Sequence, residues 1–359
     1  MKTVPRESDG LSGAALSGAA LAAAVGEHAR AILDPATMLG DVFQHCVAIH
    51  DHYAGITGLH ARDAQQPEYM QETRLACGRA ISLKHAAHCL LEFRRTAVYL
   101  RAVRDAVHAI HARRPQEPVA LVYVGCGPYA TLISPLLPLL REIPLQLTLI
   151  DIHQTALDMA GAVIEAMGFA KPELVRADAA TYRHPTDRRM DVVVTETMRR
   201  ALEGETQVAI LTNFVGQMAA DAVLIPESVT LEASLEWLRH HEHETPPEPS
   251  HQRLPWRLHV DRAFIAAIDP TACDNGAEIT VQCDPIPLPV PSLVRHRLMI
   301  HTRITALGDH LLEDGNCSLN EVVYLTQRHF DTLSDSLACT YHVTGKTGLH
   351  IQGLKRGRV

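Results

Sequence analysis

The 359-residue chain has no Cys-x-x-Cys pair, no excess of basic residues and no long uninterrupted apolar run. Its eight cysteines, at positions 46, 77, 89, 126, 273, 283, 317 and 339, fall in no metal-finger spacing. Spread thinly along a large chain, they fit the reduced thiols of a cytoplasmic protein better than a disulfide framework. A formal net charge of −8 leaves no basic stripe to neutralise phosphates, so no nucleic acid partner is expected. No stretch approaches the ~20 apolar residues of a membrane span, and no membrane partner is expected either. Acidic residues enter early at the N-terminus, and the Ala/Gly/Ser run that follows them is weakly apolar. It reads as a poorly ordered lead into an alanine-rich helix, not as a signal peptide. Histidine is plentiful, at 22 residues, yet His240, His241 and His243 sit in a Glu/Pro-rich loop without the helix-borne spacing of a zinc enzyme, so no metal is expected.

What is present describes a globular protein, with 47% hydrophobic and 21% charged residues, long enough for two or three subdomains. Up to about residue 112 there is almost no strand signal. Cys89, Leu90, Phe93, Val98, Leu100, Val103, Val107 and Ile110 recur at helical spacing, so residues 1–117 read as a helical N-terminal region. Pro115 and Pro118 break that pattern. From Val119 short apolar strands (VALVYV, LQLTLI, ELVRA, DVVVT) alternate with helical segments, which predicts a doubly wound parallel α/β domain over 118–226. Beyond it, alternation such as Ile300, Thr302, Ile304 and Ala306 on one face predicts a β-rich domain over 227–359.

The first of these strands runs into Gly125-Cys126-Gly127-Pro128-Tyr129-Ala130, where glycines let the backbone turn sharply and approach a ligand, and Pro128 suits the first turn of a following helix. The second strand ends in Asp151, the position that takes ribose hydroxyls in nucleotide-binding sheets, and the third leads to Asp178, placed to hold an adenine amino group. Alone, this glycine loop fits a nicotinamide dinucleotide as well as S-adenosylmethionine. Cys126 reads as a small packing residue, and His301 and His342 are candidates for a proton acceptor.

After the fourth strand come Thr195-Glu196-Thr197-Met198-Arg199-Arg200-Ala201-Leu202-Glu203-Gly204-Glu205. The spacing of Glu196, Met198, Leu202 and Glu205 resembles the double-glutamate loop of the protein arginine methyltransferase family. Arg95-Thr96-Ala97-Val98-Tyr99 resembles that family's R-T-x-x-Y segment, and LIPESVTL resembles its crossing into the β-barrel. The resemblance covers roughly residues 90 to 235. It implies a Rossmann-like class I methyltransferase domain with a helical N-terminal region and a C-terminal β-barrel-like domain, S-adenosylmethionine as cofactor and a homodimer. It further implies that Arg95 pairs with the cofactor carboxylate, that Gly125 and Gly127 pass beneath its amino-acid part, that Asp151 takes the ribose, and that Glu196 and Glu205 orient a guanidino nitrogen. Glu203 is a substitute candidate for Glu205.

The family's Gly-Tyr inside the loop is replaced by Arg199-Arg200, and its T-H-W triplet has no clear counterpart in EDGNCSLNEVVY. With Met198 beside them, two arginines at an acceptor pocket suit a carboxylate as well as a plain exposed surface, which makes a small guanidino compound, free arginine foremost, the expected acceptor. Methylation of another small-molecule nucleophile is an alternative, and three other functions fit part of the pattern. GCGP after a strand also resembles nicotianamine-synthase-like enzymes, which transfer an aminocarboxypropyl group; the missing triplet suits a scaffold without transfer activity; a nicotinamide dehydrogenase accounts for the glycine loop alone.

Overall fold

The computed structural model of the protein describes residues 16, 18–60, 67–237, 250–269, 277–289, 296–326, 335–351 and 355–356. His240, His241 and His243, in the loop after Trp237, fall outside the described residues.

The N-terminal part is helical, with α1 (Gly18–Leu33), α2 (Leu39–Thr57), α3 (Pro67–Met70), α4 (Leu83–His88) and α5 (Phe93–Arg113). In α5 the apolar spacing does what it predicts: Leu100, Val103, Val107 and Ile110 are all buried. One element departs from the sequence reading. Between α3 and α4 lies a short antiparallel ribbon of β1 (Thr73–Leu75) and β2 (Gly78–Ala80). Three-residue strands are too short to show a period of two, and the tight turn between them depends on Gly78 at φ 134°.

Next comes the mixed α/β part, with β3 (Val119–Val124), β4 (Leu145–Asp151), α6 (Gln154–Ala166), β5 (Glu173–Arg176), β6 (Val192–Thr195), α7 (Gln207–Val215) and β7 (Val223–Ile225). Its five strands are ordered β5-β4-β3-β6-β7, all parallel. Every residue of β3 is buried, as expected for a central parallel strand covered on both faces. The chain steps from β3 outward to β5 and then returns to the other side of β3. This change of direction opens a crevice at the carboxyl end of β3, where sheets of this kind bind ligands.

The glycine loop after β3 is not followed by an α-helix, contrary to the sequence expectation. Turns and a single 3-10 turn at Ser134–Leu136 take its place. Ala130 has φ 45°, and Pro135 and Pro138 remove the N–H donors that a regular helix here would need.

The C-terminal part contains β8 (Ser228–Trp237), β9 (His251–Asp261), α8 (Arg262–Ala266), β10 (Thr280–Pro287), β11 (His296–Leu307), β12 (His310–Leu312), β13 (Val323–Thr326), β14 (Ser336–His342), β15 (Gly348–Ile351) and β16 (Lys355–Arg356). They form two antiparallel sheets, one ordered β16-β13-β11-β8-β9 with β12 paired to β11, the other β10-β14-β15. On β11, Ile300, Thr302, Ile304 and Ala306 are buried, as their alternation predicts. Among the described residues no helix is long and apolar enough to cross a membrane.

Candidate functional site

Three strand ends supply the first wall. Gly125 and Gly127 adopt φ 66° and 62°, a region favoured by glycine. A methyl group on Gly125 would collide with Cγ2 of Thr197, and one on Gly127 would stand 3.2 Å from Cβ of Ala86. Asp151, at the end of β4, is buried and held by two backbone donors: Gly127 N donates to Oδ2 at 3.0 Å and His153 N to Oδ1 at 2.9 Å. His153 in turn reaches Thr73 of the ribbon, Nε2 to Oγ1, at 2.8 Å. After β5, Asp178 accepts from Ala180 N at 2.9 Å and opens a turn. Cys126 is buried, and burial pushes its thiol well above the ordinary value, in keeping with a packing role.

The second wall is the loop after β6. Glu196 follows directly on the strand. Gln207, buried at the start of α7, accepts through Oε1 from both Thr197 N and Thr197 Oγ1 at 2.9 Å, which fixes the first step of the loop. Ala201 and Leu202 then adopt φ 55° and 54°, a left-handed conformation that costs non-glycine residues about 1 kcal/mol each. Two later strands hold them there. Ala201 N donates to Thr302 Oγ1 of β11 at 2.8 Å, and Tyr341 Oη of β14 donates to Leu202 O at 3.0 Å. Gly204, at φ 72°, donates to Thr347 O at 3.1 Å and returns the chain to Glu205, which forms an isolated parallel bridge with Arg79 of the ribbon.

Charge is concentrated where the walls meet. Arg95, buried on α5, bridges Glu92 Oε2 at 2.8 Å and the carboxylate of Glu196. Glu92 also accepts from Ser318 N at 3.0 Å, and although burial raises its pKa, Arg95 and Ser318 hold it below the ordinary carboxylate value. Glu205 is 8% exposed, and burial pushes it up to about 7 against the opposing pull of Arg199, Arg95 and Arg79. Arg199 Nε lies 4.0 Å from Glu205 Oε1, and Arg200 Nη1 lies 2.5 Å from Glu321 Oε2. Arg79 is paired with Glu72 at 2.9 Å.

These groups line one cavity of about 520 Å³. Arg95, Gly125, Gly127, Asp151, Asp178, Glu196, Met198, Arg199, Arg200 and Glu205 all contribute to it. Reasoning from sequence missed Glu72, Arg79, Glu92 and Ser318. For Glu92 a signal existed, an acid one helical turn before Arg95; for Ser318 it was the EDGNCSLNEVVY segment, whose Ser318, Leu319 and Glu321 reach the cavity. Two residues considered as proton acceptors do not reach it. His301 is held between Ser234 Oγ and Asp314 Oδ2, each at 2.6 Å, and His342 pairs with Glu278 at 3.1 Å. Among the described residues, no three His, Cys, Asp or Glu side chains are grouped so as to hold a metal ion.

No family model matches the chain, and no curated protein matches it. Solved structures do, among them the Trypanosoma brucei PRMT1 enzyme-prozyme heterotetrameric complex with AdoHcy, at 12% identity and a TM-score of 0.43 over 75% of this chain and 96% of that one. A likeness so distant says nothing about chemistry, which has to be read from the cavity itself.

Proposed function

We propose that the cavity binds S-adenosylmethionine and that the chain is a methyltransferase acting on a guanidino nitrogen of a small acceptor, free arginine being the simplest of its class. One observation carries this reading: Glu196 and Glu205 share a cavity with Gly125, Gly127, Asp151 and Asp178, the ligand-binding row of the parallel sheet. The residues fit the cofactor. Gly125 and Gly127 leave a cradle where side chains would intrude, and the oriented carboxylate of Asp151 suits a ribose diol. Asp178 stands at the next strand end, the adenine side, and Arg95 offers a guanidinium for a carboxylate.

When bound, S-adenosylmethionine supplies a sulfonium methyl group, whose carbon gains a bond to nitrogen as its bond to sulfur breaks and the electron pair stays on sulfur. The protein's part is positioning and charge. Glu196 and Glu205 orient a planar guanidinium and draw its positive charge toward the nitrogens they bind, leaving lone-pair character on the third. Transfer releases one proton from the guanidino group, and Glu205, which burial pushes up to about 7 before any ligand binds, is the carboxylate suited to take it from a nitrogen that it holds. Met198, buried in the wall, and Arg199 and Arg200 at the rim shape the acceptor side.

The test is a mass-resolved assay of the purified chain with methyl-labelled S-adenosylmethionine, offering free arginine, other small guanidines and an arginine-rich peptide. A gain of one or two labelled methyl groups on a small guanidine supports the proposal, and the unlabelled mass of an aminocarboxypropyl group identifies the other transfer. Methylation of the peptide alone overturns the small acceptor, while cofactor binding without any transfer favours a scaffold.

A further inference from the structure

Beside the cavity lies a second cleft of about 720 Å³, and Leu75, Arg79, Arg199 and Arg200 line both. The two spaces therefore meet at the arginines of the glutamate loop. The cleft is markedly cationic. Arg74, Arg79, Arg199, Arg200 and Lys346 line it together with His350, and among the described residues Glu203 is its one acidic residue. Of the cations, Arg79, Arg200 and Arg199 face carboxylates, those of Glu72, Glu321 and, at 4.0 Å, Glu205. Arg74 and Lys346 are exposed and have no acidic partner among the described residues.

Two features mark this charge as more than a solvated surface. Arg74 and Arg79 are direct cross-strand partners in the ribbon, an arrangement in which like charges repel and which a shared anion relieves. Thr347, on the cleft wall and only 6% exposed, has a hydroxyl with no hydrogen-bond partner among the described residues. A buried hydroxyl left without a partner costs free energy that an oxygen-rich ligand would recover. Gly78 keeps the space next to that hydroxyl open, since a methyl group there would stand 3.2 Å from Thr347 Oγ1.

We propose that this cleft is the far half of the acceptor site and takes an anionic tail, a carboxylate or phosphate carried at a distance from the nitrogen that is methylated. This rests on the methyltransferase reading for the identity of the near half. It deepens that reading by making the acceptor an elongated molecule, cationic at one end and anionic at the other, and larger than free arginine. Arg199 and Arg200 stand at the junction, where the two ends of such a molecule part.

The experiment measures equilibrium binding of three dipeptides to the full chain in the presence of S-adenosylhomocysteine: arginyl-aspartate, arginyl-phosphoserine and, as a neutral-tailed control, arginyl-asparagine amide. At least one anionic probe is expected to bind about tenfold more tightly than the control, with the preference shrinking as salt rises. The Arg74→Ala/Lys346→Ala double variant should bring that preference close to unity, leave S-adenosylhomocysteine affinity unchanged and not lower the melting temperature, since neither side chain is buried and the Arg74–Arg79 repulsion is removed. Whichever anionic probe binds more tightly identifies the tail as carboxylate or phosphate. Equal binding of all three probes, or a preference that survives in the double variant, overturns the proposal. Methyl transfer is scored separately: transfer that ignores the tail leaves the methyltransferase reading standing and removes the cleft. Tail-dependent binding without transfer to any acceptor keeps the cleft and removes that reading.

Discussion

The guanidinium of Arg95 rests on the carboxylate of Glu196, so the residue suited to the cofactor is paired with one of the two residues suited to the acceptor. A carboxylate arriving with the cofactor competes with Glu196 for Arg95 and releases it for the second ligand. Acceptor binding is therefore expected to be weak in the bare protein and to strengthen once S-adenosylhomocysteine is present, which calorimetric titration in either order would measure. Equal acceptor affinity with and without it would dissociate the two residues.

Arg95→Ala should have two effects. It strands the buried carboxylate of Glu196 and takes one of two partners from the half-buried Glu92, which costs about 3 kcal/mol of stability, readable in denaturant unfolding. It should also weaken S-adenosylhomocysteine binding by about tenfold or more, because a charge-assisted hydrogen bond is lost. Glu196→Gln, by contrast, should abolish transfer and spare cofactor affinity. Full activity in that variant would remove the glutamate pair from the mechanism.

Glu205 makes both stability and activity depend on pH. With a carboxyl at about 7 in the folded protein and an ordinary one in the unfolded chain, the folded state holds the extra proton in between. Stability contributed by this group is therefore present below the ordinary carboxylate range and is lost as pH rises toward about 7, above which the slope is flat. Glu205→Gln should flatten that part of the profile, and parallel profiles for the two proteins would show that Glu205 titrates normally. If ionised Glu205 orients the acceptor, kcat/KM should rise with pH through about 7. In the bound complex the cationic acceptor favours the carboxylate, so the inflection in kcat should lie lower.

Gly125→Ala combines a left-handed φ of 66° with a collision against Thr197. A stability loss above about 1 kcal/mol and a marked loss of cofactor binding are expected. Adding Thr197→Ser deletes the colliding methyl group and should recover part of the loss. No recovery would mean that the backbone angle alone accounts for the effect.

Gln207→Ala leaves Thr197 without the oxygen that positions it. Because Gln207 acts through the loop, kcat should fall by about tenfold while the KM for cofactor changes little. An equal fall in both would indicate general loosening instead of a positioning role.

Much of the parallel sheet was legible before the structure, because VALVYV is an unbroken apolar run, because DVVVT sets three valines in a row, and because Leu157, Ala160, Ile164 and Met167 mark one face of a helix. In the structure all four of the latter are buried. The order of glycine loop, Asp151, Asp178 and glutamate pair was legible for the same reason: each stands one step past a recognisable strand. The ribbon carrying Arg79 was not, since its strands are too short to set a period. Nor was the role of Gln207, an amide in a helix start that only the folded loop brings to Thr197. After Gly127 the glycines of the motif suggest a helix, but Pro135 and Pro138 lack the N–H donors that one would need.

Thr302 and Tyr341 hold the backbone of Ala201 and Leu202 from 101 and 139 positions further along the chain. A fragment ending at residue 226 would encode both glutamates and yet lack the contacts that bend the loop between them. In the currency of heredity, the two halves are not separate modules. A chimera made by joining the first half to a relative's second half would inherit the letters of the site but its shape only if the graft also brought a hydroxyl where Thr302 stands and a phenol where Tyr341 stands.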